Sequence, residues 1–534
     1  MRFAIFFQFT FFALALVAAI GLWVPVMDVD AAQYAAMAER MSVSGEWLQL
    51  FDRGAPYLDK PPLLFWLSAL SFKIFGVSDW AYKLPSFLIS LGSCWGLFKL
   101  SQRYYPIAVA YGAVLMYMSC QGWMLMVNDV RTDLLLTSFV ILAVWQGAVA
   151  WDTGKRSAIL GLGIFVGFGM LSKGPLGLMI PVMALLGEVV RSRSFYWQRF
   201  LKLTWAIIPI LLILFPMCLG LWIQYGSEGL YFFFWKQSFG RITGESDWRN
   251  GADSFFLTQN LLWAILPWTF VFIGALLFRV RNYFRQSEGW TSGAWILPLL
   301  VLSSSHYQLP HYIFVTLPFV SLYTAGWMYE KLAVKKQGWT IAVGVLCGTG
   351  VMAMLVAYGF IFPGRLDIGL VILFIICMIW GLSYVRFKQF QYFRLWLIPA
   401  WGWGIVNLYV GGFFYPSLLP YQASSNIGEW LRDQHKINAA GIYQEGVSHS
   451  LDFACRKTLP VWFTPKDLQV GKWVITRDKP LRELFRAGVK LKFKRCWKTY
   501  SVQLLSLPFL NPDTRNNFLD RLWIVEVEQV NSKQ

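Results

Sequence analysis

The sequence predicts an all-α polytopic membrane protein with a small α/β domain at its C-terminal end, and three observations carry that prediction. Of 534 residues, 57% are hydrophobic and only 14% charged, where soluble chains carry about a quarter charged residues. Runs of about 20 apolar residues, the length that crosses a bilayer, recur from the N-terminus to near residue 415. Beyond 416 they give way to short segments between charged turns. A soluble enzyme, a disordered chain, a collagen-like repeat and a coiled coil are excluded on these grounds.

The first run, Phe3 to Val24, has an apolar core longer than the 7–15 residues of a signal peptide, so it reads as an uncleaved first span. About thirteen spans follow from the hydropathy pattern, near 3–24, 82–100, 106–126, 131–150, 157–172, 175–190, 203–224, 256–278, 291–304, 310–329, 339–361, 368–385 and 395–415. Basic residues mark alternate loops: Arg2, Lys99 with Arg103, Lys155 with Arg156, Arg191 to Lys202, Arg279 to Arg285, Lys331 to Lys336, and Arg386 to Arg394. That face is cytoplasmic by the positive-inside rule. Much of the formal charge of +18 is therefore a topological signal, and nucleic acid is not an expected partner.

An odd number of spans places the C-terminus outside. Residues 1–415 form the expected transmembrane domain with an external loop at 25–81, and 416–534 a soluble external one. In the latter, 441–444, 472–476, 489–493, 500–507 and 522–527 read as strands and 425–434 as a helix. Seven cysteines show no metal-ligand spacing. In an oxidising compartment Cys455 and Cys496 are the candidate disulfide pair, a pairing the sequence leaves open.

Charged groups beside a hydrocarbon layer are costly, about 2.5–3.5 kcal/mol for an Asp, Lys or Arg at a helix centre, so clusters of them on one face call for a function. Here they fall on the external side. Asp28 and Asp30 follow directly on the first span, at a spacing that points both the same way along an extended backbone. Asp30 reads equally as the cap of a helix beginning at Ala31.

Next come Tyr57 and Lys60 in PYLDKPP, ahead of an apolar stretch of about 13 residues, too short to span. Lys60 is placed to meet a lipid phosphate or to snorkel at the interface. Asp133 enters a span beside Arg131, its simplest ion partner; Lys173 ends one in LSKGP, Arg241 stands between glycines in FGRITG, and His311 and Tyr312 open one in QLPHY. Cations can hold a carrier phosphate while an acid orients or deprotonates an acceptor.

The order VDAAQYA, YLDKPPLLFWL, KLPSFL, VRTDLLLT, LSKGPLG, FGRITG, LPW and LPHYIFVTLP resembles the ArnT-like and protein O-mannosyltransferase branch of the lipid-sugar-dependent glycosyltransferases with the GT-C fold. The 4-amino-4-deoxy-L-arabinose lipid A transferase group is the nearest resemblance. It implies an inverting glycosyltransferase of the bacterial inner membrane, moving a sugar from an undecaprenyl-phosphate-linked donor to lipid A, another envelope glycan or a protein at the periplasmic face.

By the same resemblance Asp30 is the catalytic acid/base or positioning group, Asp133 a second acid near the acceptor, Lys60 the ligand of the carrier phosphate and Arg241 and Tyr312 helpers, while Asp28, Tyr57, Lys173 and His311 are the further substrate-binding candidates on the same face. After FGRITG the chain continues Glu245-Ser246-Asp247-Trp248-Arg249, where relatives commonly show a histidine. A divalent cation is left open. The alternative is a transporter or flippase for a lipid-linked or anionic substrate, which predicts ionisable groups near the midplane and inverted repeats.

Overall fold

The computed structural model describes residues 2–237, 240, 251, 253–332, 337–362, 376, 396–445 and 448–530. Among these, the chain up to residue 421 is almost entirely helical, and the rest builds a small mixed domain. Four described helices are long and apolar enough to cross a membrane: Ala4–Trp23, Thr132–Thr153, Arg156–Lys173 and Trp197–Tyr225. Ile107–Ser119 and Gln121–Asn128 form a further candidate, bent by 53°.

The expected spans 82–100, 175–190 and 291–304 are the single helices Asp79–Tyr104, Leu176–Ser192 and Trp290–Ser303, and two others are helices broken into pieces. The 256–278 run divides into Phe256–Ala264 and Thr269–Arg281 around Pro267, and 310–329 opens as a 3-10 turn, Pro310–Thr316, before Leu317–Trp327. The run near 368–385 lies outside the described residues apart from residue 376. Leu63–Phe75 is a separate 13-residue helix, as its length required.

Arg279, in the last turn of Thr269–Arg281, is 2% exposed and pairs with Glu330 at 3.0 Å and the Tyr105 hydroxyl at 3.2 Å, groups at the ends of neighbouring segments. Burial of a guanidinium is tolerated only with such partners.

The C-terminal sheet runs Val461–Trp462, Ala440–Tyr443, Trp473–Arg477, Asp520–Gln529, Lys490–Thr499, parallel across its first two pairings and antiparallel across the last two. Helix His449–Cys455 bridges the first parallel pair, and Ala423–Asp433 packs on the same apolar layer through Ile427 and Leu431. The expected strand at 500–507 is not one. Leu504 N donates to Ser501 O, Ser506 Oγ caps helix Leu507–Leu510, and Pro508 has no amide to give. Cys455 and Cys496 are free thiols, the first buried and the second exposed.

The domain is bolted to the first external loop. Arg53 pairs with Asp452 and also donates to Leu459 O at 2.7 Å. Arg40 donates to Thr458 Oγ1, Arg456 to Val77 O at 2.8 Å, and Ser450 Oγ to Asp28 at 2.7 Å.

Candidate functional site

Helix Asp30–Ser44 begins at Asp30 itself, with Val29 as its N-cap and no side-chain cap bond, so the capping role is not taken up. The Asp30 carboxylate instead receives Arg131 Nη1 at 2.9 Å, and Arg131 also holds Asp129, at 2.8 Å from Nη2. Arg131 thereby fixes two acids of different external turns with one planar fork.

Asp133 is not its ion partner, as local spacing suggested. It lies in the first turn of Thr132–Thr153, 4% exposed, where the helix N-terminus favours an anion, and it pairs with Lys173 Nζ at 2.5 Å. His311 Nε2 stands 3.8 Å from its other oxygen.

The LSKGPLG segment explains how Lys173 gets there. Gly174 adopts φ +71°, a conformation that L side chains avoid, and Pro175 leads into the next helix, Leu176–Ser192. A Cβ on Gly177 would fall 2.3 Å from the Gly169 carbonyl carbon, so the two helices meet backbone to backbone and leave Lys173 at the apex. Its ammonium lies 4.5 Å from the centre of the Tyr312 ring, and Tyr312 is edge-on to His311 at 5.2 Å. Asp133, Lys173, His311 and Tyr312 are one cluster.

The two clusters open into one cavity of about 780 Å³ whose wall includes Asp30, Asp129, Arg131, Asp133, His311 and, from the C-terminal domain, Leu504. Lys60 stands to one side, paired with Asp59, which also accepts from Gln237 Nε2 at 3.0 Å. The charges of Lys60, Lys173 and Arg131 all act on His311, which ties the KPP turn electrostatically to the same site. Tyr57 is hydrogen-bonded to Tyr34, and burial lifts its phenol well above its ordinary range, with Asp59 and Asp30 adding to the shift.

Asp28 does not join them. Although two residues from Asp30, it accepts from Ser450 N at 3.2 Å and Ser450 Oγ at 2.7 Å, while its own amide donates to Gln422. Burial raises its carboxyl above the ordinary value, more than these hydrogen bonds lower it. Arg241 lies outside the described residues. Among the described residues no group of three His, Cys, Asp or Glu side chains converges as a metal-ligand set. The acids of the cavity are instead matched to cations.

Sequence reasoning missed the clasp behind the site. Helix Asp79–Tyr104 presents three groups in one turn: Asp79 accepts from Val26 N at 2.7 Å, Tyr82 Oη donates to Val130 O at 2.9 Å, and buried Lys83 donates to Gly21 O and Val24 O at 3.1 and 2.7 Å. The segment Asp79 to Lys83, just ahead of LPSFL, therefore joins the turn before Asp28 to the turn carrying Arg131. A lysine inside an apolar run was the available signal.

Solved structures of ArnT from Cupriavidus metallidurans share this architecture. The form bound to undecaprenyl phosphate matches with a TM-score of 0.77 at 15% identity, and the apo form with 0.75 at 16%, each covering 98% of both chains. The chain has the fold of ArnT, the GT-C fold.

Residues 59–222 match the family model described as dolichyl-phosphate-mannose-protein mannosyltransferase. The chain is also similar to the undecaprenyl phosphate-alpha-4-amino-4-deoxy-L-arabinose arabinosyl transferases of Enterobacter sp. (strain 638) and of Pseudomonas aeruginosa strain PAO1. Identity is 28% to each, over 64% of this chain and 62% of the first relative, and over 55% and 53% for the second. The matched part thus spans somewhat over half the length of these relatives. The motif resemblance read from the sequence holds in both sequence and fold.

Proposed function

We propose that this protein is an inverting glycosyltransferase of the bacterial inner membrane that transfers a sugar from an undecaprenyl-phosphate-linked donor to lipid A or another envelope acceptor at the periplasmic face. The observation that carries this reading is the convergence of Asp30 and Asp133, with their cations, on one large cavity in an ArnT fold. The relatives' names supply the class of donor.

The acceptor oxygen attacks the anomeric carbon as the bond from that carbon to the carrier phosphate breaks, and the phosphate leaves with the electron pair as undecaprenyl phosphate. Lys60, with Arg241, meets the phosphate charge. Asp30, oriented by Arg131, faces the acceptor. It takes the proton of a hydroxyl acceptor; an already ionised phosphate acceptor has none to give, and Asp30 then only positions it. Lys173 is already committed to Asp133, so its role is to hold that acid and support the tyrosine and histidine beside it. Asp28 belongs to the domain junction.

The transporter alternative is not favoured, because the titratable residues of the cavity come from the external ends of helices and from the loops between them.

The test is transfer of label from undecaprenyl-phosphate sugars to candidate acceptors by the purified full chain in lipid nanodiscs, with and without EDTA. Asp30→Asn and Lys60→Ala are run alongside. Transfer by the wild type, lost in folded Asp30→Asn, supports the reading; equal transfer by the wild type and Asp30→Asn refutes the assignment of Asp30.

A further inference from the structure

The stretch from Tyr500 to Asn511, YSVQLLSLPFLN, contains no charged residue, yet it belongs to the polar C-terminal domain. It forms neither strand nor long helix, and three of its leucines face outward: Leu504 is 76% exposed, Leu505 42% and Leu507 82%. A soluble domain gains nothing by presenting such side chains to water.

Its inner side shows at what level it lies. Val502 and Phe509 pack with Val24 and Met27, just past the end of the first span, and with Leu418 and Leu419. Arg515 fastens it to the end of another helix: its guanidinium donates to Ile361 O, just past Gln337–Phe360, and to Leu510 O, and lies over the rings of Phe362 and Phe509. Tyr500 N donates to Tyr421 O. The strap is thus pinned to the external ends of three helical segments, the level at which hydrocarbon meets headgroups. Trp23, at the end of the first span, is 66% exposed, as suits an interfacial tryptophan.

The same strap is a wall of the site, since Val502, Gln503, Leu504 and Leu505 line the catalytic cavity beside Phe414 and Leu418. An apolar rim at headgroup depth, open to the reacting groups on one side, fits one partner: the outer leaflet of the bilayer.

We infer that residues 503–507 are an interfacial wedge, inserted in the outer leaflet, whose leucines form the sill over which the acyl chains of a membrane-embedded acceptor reach the cavity. This rests on the proposed transferase reading only for the acceptor; insertion itself does not depend on it.

The experiment uses the full chain in nanodiscs of phosphatidylcholine and phosphatidylglycerol. A bimane fluorophore is attached at Leu507→Cys in a Cys496→Ser background and challenged with lipids brominated on the acyl chain. Strong quenching, absent from a control label at exposed Gln469→Cys in the same background, is expected. Quenching no greater than the control overturns the inference whatever the activity.

In a second arm, Leu507→Ser, at an exposed leucine outside the cavity wall, is expected to raise KM for a long-chain acceptor by about tenfold, from loss of insertion of that side chain. KM for a short-chain, water-soluble acceptor stays unchanged. An equal rise for both acceptors shows general damage and refutes the sill. Absence of transfer in the wild type counts against the transferase reading and leaves the quenching result to decide insertion.

Discussion

Replacing Lys173 by Met tests the energetic logic of the site most directly. The ammonium lies 2.5 Å from Asp133, and the two side chains are only 12% and 6% exposed, so the substitution strands a carboxylate. Breaking a buried pair from one side costs about 3–5 kcal/mol. Here part of that is offset by the helix N-terminus, worth about 0.3–1 kcal/mol, and by His311 and Arg131, which still act on the carboxylate.

The expected loss is therefore about 2–3 kcal/mol for Lys173→Met. Asp133→Asn costs less, because the released ammonium keeps the Tyr312 ring and reaches the cavity water. Combining the two should be milder than the sum by about 2 kcal/mol, since neither charge is then left unmatched. Reversible unfolding of the four proteins in mixed micelles measures this cycle. Additivity within about 0.5 kcal/mol, the behaviour of independent sites, would refute the pairing as an energetic unit.

Further outcomes follow from the same geometry. Arg131→Gln frees both Asp30 and Asp129, and steady-state kinetics should show kcat falling by about 100-fold, the scale of a 1 Å misplacement, with donor KM nearly unchanged; a KM effect alone would assign Arg131 to donor binding. The junction carboxyls Asp28 and Asp452 are both raised above 3.8 by burial. The native state therefore holds their protons more tightly than the unfolded chain, and their contribution to stability declines as pH rises from about 3.8 through the raised values. Thermal unfolding against pH should show that decline, and Asp28→Asn should flatten it. Cys455 is buried, with its thiol pushed up to about 12, and Cys496 is exposed. Maleimide labelling read by mass spectrometry should modify Cys496 in the folded protein and Cys455 only after denaturation, with no disulfide-linked peptide.

Much of this was legible because the bilayer makes local sequence informative. A charge in an apolar run has few places to go, so Asp133, Lys173 and His311 could be picked out from their positions at helix ends. The brevity of the apolar stretch after Pro62 foretold a non-spanning helix.

The partners of those groups were not legible. Asp133 and Lys173 are 40 positions apart, and the fork of Arg131 turns away from its sequence neighbour Asp133. Asp28 was misplaced for a related reason: period-2 spacing describes an extended strand, whereas its side chain is claimed by Ser450, 422 positions along the chain. The strap at 500–507 failed as a strand because its alternation of apolar and polar residues serves helix ends and an exposed rim, not a sheet face.

The bond between Asp28 and Ser450 has a consequence for biosynthesis. The segment that carries the acid at position 30 is tethered by a side chain made 422 positions after Asp28. A nascent chain already threaded through the bilayer would lack that tether and one wall of its cavity. The cavity gains its full wall only once the strap carrying Val502 to Leu505 has been made and has docked.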